Sequence, residues 1–275
     1  MNNPELYTKN NHFSRISAKF ILDKYGKWMT WKDNERIMEF GVGCGNTTKE
    51  IVLPRIPSNF AEYVAVDINK KFVNMAKSTL AHDTRFQFMN FDIESNEVPL
   101  KFMERFDHIL SFLVIHWTRK PRKAFENLLK MLRSDGEIFL MFVDKSPIDG
   151  ALEELGKNPR WAKYGHENFI SPYYHNIDPL IPYRKDMIAA GIDNPKIGIE
   201  KMLFCYKNVN HCTDHLCSVN PILHLIPEEE QEDYKRDYMK HALRTGGFFQ
   251  KSVKPGYISI GVNYNLMIVY AKKLT

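Results

Sequence analysis

Arg36-Ile37-Met38-Glu39-Phe40-Gly41-Val42-Gly43-Cys44-Gly45-Asn46-Thr47-Thr48 opens as a short apolar run and closes on three glycines at every second position, followed by polar residues able to start a helix. Glycine has no Cβ and reaches positive φ, so such a turn bends sharply and brings bare backbone N–H groups against a ligand. The same spacing also serves as a tight structural turn. The neighbours favour the ligand. Glu39 ends the strand-like run two residues before the first glycine. Tyr63-Val64-Ala65-Val66, the next apolar run, ends in Asp67. That is roughly twenty residues past the last glycine, where a nucleotide-binding unit places the carboxylate that accepts two ribose hydroxyls.

Working outward, residues 1–35 predict two amphipathic helices, with Ala18, Phe20, Ile21, Leu22 and Tyr25 as an apolar face and Gly26 as a cap. Trp28 and Trp31 follow, as packing of this lobe on the sheet or, alternatively, as ligand contacts. Strands are expected over 36–40, 62–67, 85–89, 106–112 and 137–143, with helices between them over 46–53, 70–80 and 124–132. Strands alternating with helices over 36–143 imply a doubly wound, mostly parallel sheet. Its ligand lies beyond the carboxyl ends of the strands.

After Val143 the texture changes. Residues 144–183 carry Pro147, Pro159, Pro172, Pro179 and Pro182 among Trp161, Tyr164, Phe169, Tyr173, Tyr174 and Tyr183, where a lid or substrate lobe is expected. A short helix over 184–190, a sixth strand over 197–206, helices over 208–245 and a last strand over 263–271 complete the chain. The whole reads as a single domain: N-terminal helices at 1–35, a cofactor-binding core at 36–143, a substrate lid and helices with the sixth strand at 144–250, and a C-terminal strand at 251–275.

Composition narrows the partners. The net charge of +5 is spread along 275 residues without a dense basic tract, which argues against nucleic acid. Four cysteines (Cys44, Cys205, Cys212, Cys217) form no CxxC pair, so neither a metal ribbon nor a disulfide framework is expected; reduced thiols in the cytoplasm are. The N-terminus shows no apolar leader and no run is long enough to span a membrane, so a soluble chain is expected. Aromatic residues at 13% suit an apolar pocket.

The loops after the first four strands gather Gly41–Gly45, Asp67, Asp92 and Leu113–Trp117 around one crevice. Asp92, at the end of the third strand, suits the exocyclic amine of an adenine with Ile93 covering the ring, and equally suits a solvated turn. The His116-Trp117 pair falls at the mouth, where an acceptor would sit.

The order strand–ExGxGxG–helix–strand–Asp resembles the class I S-adenosylmethionine-dependent methyltransferases. Dinucleotide-binding proteins are the nearest competitor, but they place the third glycine one position later, where this chain has Asn46. The resemblance then narrows. Met1-Asn2-Asn3 with Glu5-Leu6-Tyr7 and Lys9-Asn10-Asn11, the glycine loop, Val66-Asp67-Ile68 and Phe91-Asp92-Ile93-Glu94 are similar to the insect juvenile hormone acid O-methyltransferases. So are Phe106-Asp107-His108 with Ser111-Phe112, His116-Trp117, Phe169-Ile170-Ser171-Pro172-Tyr173 and Val269-Tyr270-Ala271-Lys272-Lys273-Leu274.

The resemblance implies a seven-stranded Rossmann-like sheet with an antiparallel last strand, and methyl transfer from S-adenosylmethionine to the carboxylate of farnesoic or juvenile hormone acid. It implies cofactor contacts from Glu39, Gly41, Gly43, Gly45, Asp67, Ile68, Asp92, Ile93 and Leu113, with Glu39 directed to the ammonium. It also implies an acceptor carboxylate held by Trp117, with His116 as second donor or wall, no metal, and a monomer or homodimer. Two departures stand out. The family loop usually reads Asp-x-Gly-Cys-x-x-Gly, and Ser14 occupies a position where a Gln commonly holds the carboxylate. An amine or phenol methyltransferase, and a binder that has lost turnover, are the rival functions.

Overall fold

A computed structural model describes residues 3–254 and 257–274. Met1 and Asn2 of the N-terminal motif lie outside them. Helices α1 (Pro4–Asn10) and α2 (His12–Tyr25) precede the sheet. Asn3 caps α1 by accepting from the Leu6 N–H, and Pro4 sits at the first turn, where its missing N–H costs nothing.

The core alternates β1 (Arg36–Phe40), β2 (Glu62–Asp67), α3 (Lys70–Leu80), β3 (Phe86–Asn90), β4 (Phe106–Phe112), α4 (Pro121–Met131) and β5 (Leu132–Val143). These five strands pair in parallel in the order β3-β2-β1-β4-β5. Then come α5 (Asp149–Lys157), α6 (Leu180–Ala189), β6 (Lys196–Tyr206), α7 (Val209–Val219), α8 (Gln231–Thr245), β7 (Phe248–Lys254) and β8 (Tyr257–Lys272). β8 runs antiparallel between β5 and β6, the expected reversed strand.

The sheet is buried on both faces, as a parallel sheet with crossover helices must be. Alternation within β5 shows the two cores: Phe139, Met141 and Val143 join α2, α5, α7 and α8, while Ile138, Leu140 and Phe142 join α4 and α6. Trp31 stacks on His108 with ring centroids 3.9 Å apart, and Trp28 packs on Tyr25 and Tyr270. Both tryptophans are packing residues at the sheet's far end.

Three details go beyond the sequence reading. An eighth strand, β7, joins the expected seven: β8 extends past the end of β5, and β7 pairs with the free edge over residues 257–262. The helix expected over 46–53 is present but irregular: it starts in α-form at 46–47, widens to a π-turn over Thr48–Val52 and tightens to a 3-10 turn over Leu53–Arg55. Pro54 lacks the N–H a continuing helix needs. Finally, most aromatic residues of 144–183 point inward: Trp161 is fully buried against Tyr234 and donates its indole N–H to Asp237 at 2.8 Å.

Gly45 illustrates a structural glycine. Its φ is +82°, and a Cβ there would lie 3.2 Å from Leu80 Cδ1 and 3.3 Å from the Ala76 backbone of α3. Gly45→Ala therefore combines backbone strain with overpacking, and a loss of about 2 kcal/mol is expected in urea unfolding. An unchanged midpoint would show that α3 yields at no cost.

Candidate active site

The chain leaves β1 into a loop with Gly41 at φ +73° and Gly43 at φ +56°. The Gly41 and Val42 N–H groups donate to Val66 O at 2.8 and 3.0 Å, which fastens the loop to the end of β2. The Gly43 N–H donates to Asp67 Oδ2 at 3.0 Å, and the Asn69 N–H to Oδ1 at 2.9 Å. A Cβ on Gly41 would fall 2.0 Å from Val114 Cγ2, so this loop and the β4 loop meet only because position 41 is glycine. A Cβ on Gly43 would meet Tyr7 Cε1 at 3.5 Å and little else, because it faces open space.

That space is a cleft of about 1060 Å³, lined by Gly41, Gly43, Asp67, Ile68, Asp92, Ile93 and Leu113 among others. Asp67 is 8% exposed, and burial raises its carboxyl above the usual range while the two backbone donors pull the other way. Each oxygen accepts one backbone bond and keeps a lone pair for a diol. Beside it Ile68 is 67% exposed, an apolar side chain at the cleft that a flat ring would cover. Asp92 Oδ1 accepts from the Glu94 N–H at 2.8 Å, between Phe91 and Ile93. A bare loop, a buried acid with a lone pair left on each oxygen and an acid flanked by apolar residues have the chemistry to fit an adenosine.

Two expected residues sit elsewhere. Gly45 does not line the cleft; it faces α3. The Glu39 carboxylate is turned behind the loop, where Oε2 accepts from Thr48 Oγ1 at 2.7 Å and from the Tyr63 hydroxyl at 2.6 Å. From there Glu39 supports the loop through the first helical turn.

A second cavity of about 600 Å³ adjoins the cleft, and Tyr7, Leu113 and Trp117 line both. Leu113 is held at φ +60°, unusual for a non-glycine, with its N–H donating to Met141 O. His116 and Trp117 follow on a 3-10 turn over Ile115–Trp117. Ser14 lines the cavity from α2, and its hydroxyl lies 3.1 Å from the Tyr7 hydroxyl. The remaining walls are mostly apolar: Phe13, Val143, Pro147, Ile148, Leu216, Val219, Phe248 and Val262.

No Lys, Arg, Asp or Glu is among the described lining residues. Among the described residues His116 Nδ1 has no protein partner, and burial lowers the imidazole to about 3, so the ring is neutral at physiological pH. Within the described residues the Trp117 indole N–H likewise donates to no protein acceptor. His215 is also neutral, lowered to about 3 by burial, with Nδ1 at 2.7 Å from the Tyr206 hydroxyl.

Sequence reading missed Tyr7, Phe13, Tyr206, His215, Phe248 and Val262 as wall residues. They come from α1, α2, β6, α7, β7 and β8, and no local pattern ties them together. The proline-rich aromatic segment contributes Phe169 to the cleft and Ser146, Pro147 and Ile148 to the second cavity, where α7 adds His215, Leu216 and Val219.

Glu39 carries a pH signature. Burial raises its carboxyl to about 7 from 4.5, so the folded state holds the proton more tightly than the unfolded chain. Its contribution is fully present below the unfolded value and is lost as pH rises toward the folded one, by about 3 kcal/mol. Glu39→Gln should therefore gain stability relative to the parent between about pH 5 and 7.5 and run parallel outside that window. Thermal melting across pH checks this; a constant difference from pH 5 to 8 would refute it.

Comparison with known proteins agrees with this geometry. A family model described as a methyltransferase domain matches residues 38–138, from β1 into β5. The juvenile hormone acid O-methyltransferase of Bombyx mori is 28% identical over 279 positions, covering 100% of this chain and 98% of that protein. That of Drosophila melanogaster is 26% identical, covering 99% and 93%. The crystal structure of the YcgJ protein from Bacillus subtilis shares the fold with a TM-score of 0.59 at 16% identity, covering 94% of this chain and 99% of that one. No helix among the described residues is long and apolar enough to cross a membrane. The domain match runs from β1 into β5 and the likeness to O-methyltransferases runs the length of the chain; together they support S-adenosylmethionine-dependent methyltransferase activity on a Rossmann-like fold.

Proposed function

We propose that the chain forms the methyl ester of a sesquiterpenoid carboxylic acid, farnesoic acid or juvenile hormone acid, in the cytoplasm. The observation that carries this reading is the acceptor cavity: mostly apolar along its walls, without a charged side chain among its described lining residues, and furnished with hydrogen-bond donors where it meets the cofactor cleft. Asp67, Gly41, Gly43, Ile68, Asp92, Ile93 and Leu113 hold the cofactor. Glu39 and Gly45 shape the loop from behind.

S-adenosylmethionine supplies a methyl on a cationic sulfur. A carboxylic acid of this kind has pKa about 4–5, like Glu, so it arrives ionised and needs no base. Its oxygen forms the new C–O bond as the C–S bond breaks, and no proton moves. The walls exclude water and set the approach in line. The acceptor's negative charge meets no cationic side chain in the cavity; neutral donors hold it, and Trp117, donor-only through its indole N–H, is first among them. A cationic amine would find no carboxylate among the described lining residues, and a phenol would find only His116 and His215, both too weak as bases near neutral pH.

The decisive experiment supplies farnesoic acid, other isoprenoid acids, an amine and a phenol with methyl-labelled S-adenosylmethionine. Methyl ester from an isoprenoid acid is expected; methylation of the amine or phenol alone would overturn the reading. Two variants separate the halves of the site. Asp67→Ala should weaken S-adenosylmethionine binding by about 1–3 kcal/mol in calorimetry, and unchanged affinity in a folded variant would remove Asp67 from the site. Trp117→Phe keeps the wall but loses the donor, so esterification should slow roughly ten- to a hundredfold with cofactor affinity nearly constant. A neutral Trp117→Phe would mean that the carboxylate is held elsewhere.

A further inference from the structure

The acceptor cavity contains a hydroxyl pair whose protons do not balance. Tyr7 and Ser14 contribute two O–H protons and share one hydrogen bond of 3.1 Å. Among the described residues neither side chain makes another, so one donor remains free at a wall common to both cavities. Burial raises the Tyr7 phenol well above its ordinary value, which keeps it protonated as a donor.

The placement is fixed on several sides. The Tyr7 ring stands edge-on to Phe72 of α3 at 5.5 Å, and its Cε1 lies 3.5 Å from where a Cβ on Gly43 would stand. The next helix is tied down independently: Asn11 donates to Cys44 Sγ at 3.2 Å, and Ser17 pairs with the Tyr264 hydroxyl of β8 at 3.0 Å. The hydroxyl pair is thus carried on α1 and α2, which are anchored to the glycine loop and to the sheet. A spare, preoriented donor in a mostly apolar cavity matches an anionic oxygen, because an unpaired polar group there is otherwise unfavourable.

We propose that the Tyr7 hydroxyl, backed by Ser14, is the second donor to the acceptor carboxylate, across from Trp117. The inference rests on the carboxylate reading above. A short Ser14 then marks a donor relocated to Tyr7, and turnover is retained with the shorter residue. Tyr7 becomes a catalytic residue in contact with the acceptor, and Ser14 a positioning residue that orients it.

The test uses the full-length protein saturated with S-adenosylhomocysteine and farnesoic acid labelled with ¹³C at the carboxyl. Tyr7→Phe preserves the ring against Phe72 and removes only the hydroxyl. It should weaken acid binding about tenfold, raise the pH at which the bound carboxyl titrates in the ¹³C spectrum, and leave S-adenosylhomocysteine affinity within twofold. Adding Ser14→Gln to Tyr7→Phe should recover acid binding, since a longer amide reaches the space the hydroxyl left. Unchanged acid affinity and carboxyl titration in Tyr7→Phe would overturn the proposal. So would equal losses of acid and S-adenosylhomocysteine affinity, the mark of a merely structural ring. Failure of the parent protein to bind or esterify any isoprenoid acid is a different result, visible before any variant is made, and it removes the carboxylate reading together with this one.

Discussion

The site depends on one hydrogen bond, from the Gly43 N–H to the buried Asp67 carboxylate. It joins a loop that must adopt left-handed backbone to an acid that must be taken out of water. Neither is favourable alone. The carboxylate resists burial unless backbone donors meet it, and the loop would have little reason to keep its N–H groups converging without an acceptor at the end of β2. The parallel register of β1 with β2, Phe40 against Val66, sets the two strand ends level so that the bond can form.

From that bond the rest of the site is built outward. The loop's approach to Val114 requires Gly41, and Val114 belongs to the same turn that raises Leu113, His116 and Trp117 between the two cavities. A cationic sulfur on one side and an uncharged, donor-bearing cavity on the other suit an acceptor that carries its own negative charge. The enzyme then needs shape and dryness more than acid–base machinery. The lowered imidazoles of His116 and His215 fit such a cavity, because burial that disfavours their charge also keeps water out.

The N-terminal helices complete this arrangement. α1 and α2 contribute Tyr7, Phe13 and Ser14 to the walls, and they are pinned by Asn11 to Cys44, by Ser17 to Tyr264 and by an Arg15–Glu50 ion pair. The ion pair is partly exposed and contributes little by itself. The buried bonds fix the geometry. β8 plays a matching part from within the sheet. Its reach beyond β5 recruits β7, which brings Phe248 to the acceptor cavity beside Val262.

The sequence alone singled out much of the cleft beside β1, Gly41, Gly43, Asp67, Asp92 and Leu113 among its lining residues. The glycine spacing, Asp67 at a strand end and Asp92 after the third strand lie within single loops, so short stretches of chain specify them. The parallel sheet was legible for the same reason, since buried strands and amphipathic helices write their periodicity locally. What tertiary structure decided is the direction and company of side chains. Glu39 lies one pleat from the loop, yet faces Thr48 and Tyr63; Gly45 completes the glycine pattern, yet serves packing against Leu80 and Ala76. The acceptor cavity was hidden for a deeper reason. Tyr7, Trp117, His215 and Phe248 come from segments that meet only once the helices dock on the sheet, and no spacing along the chain encodes a contact made by packing.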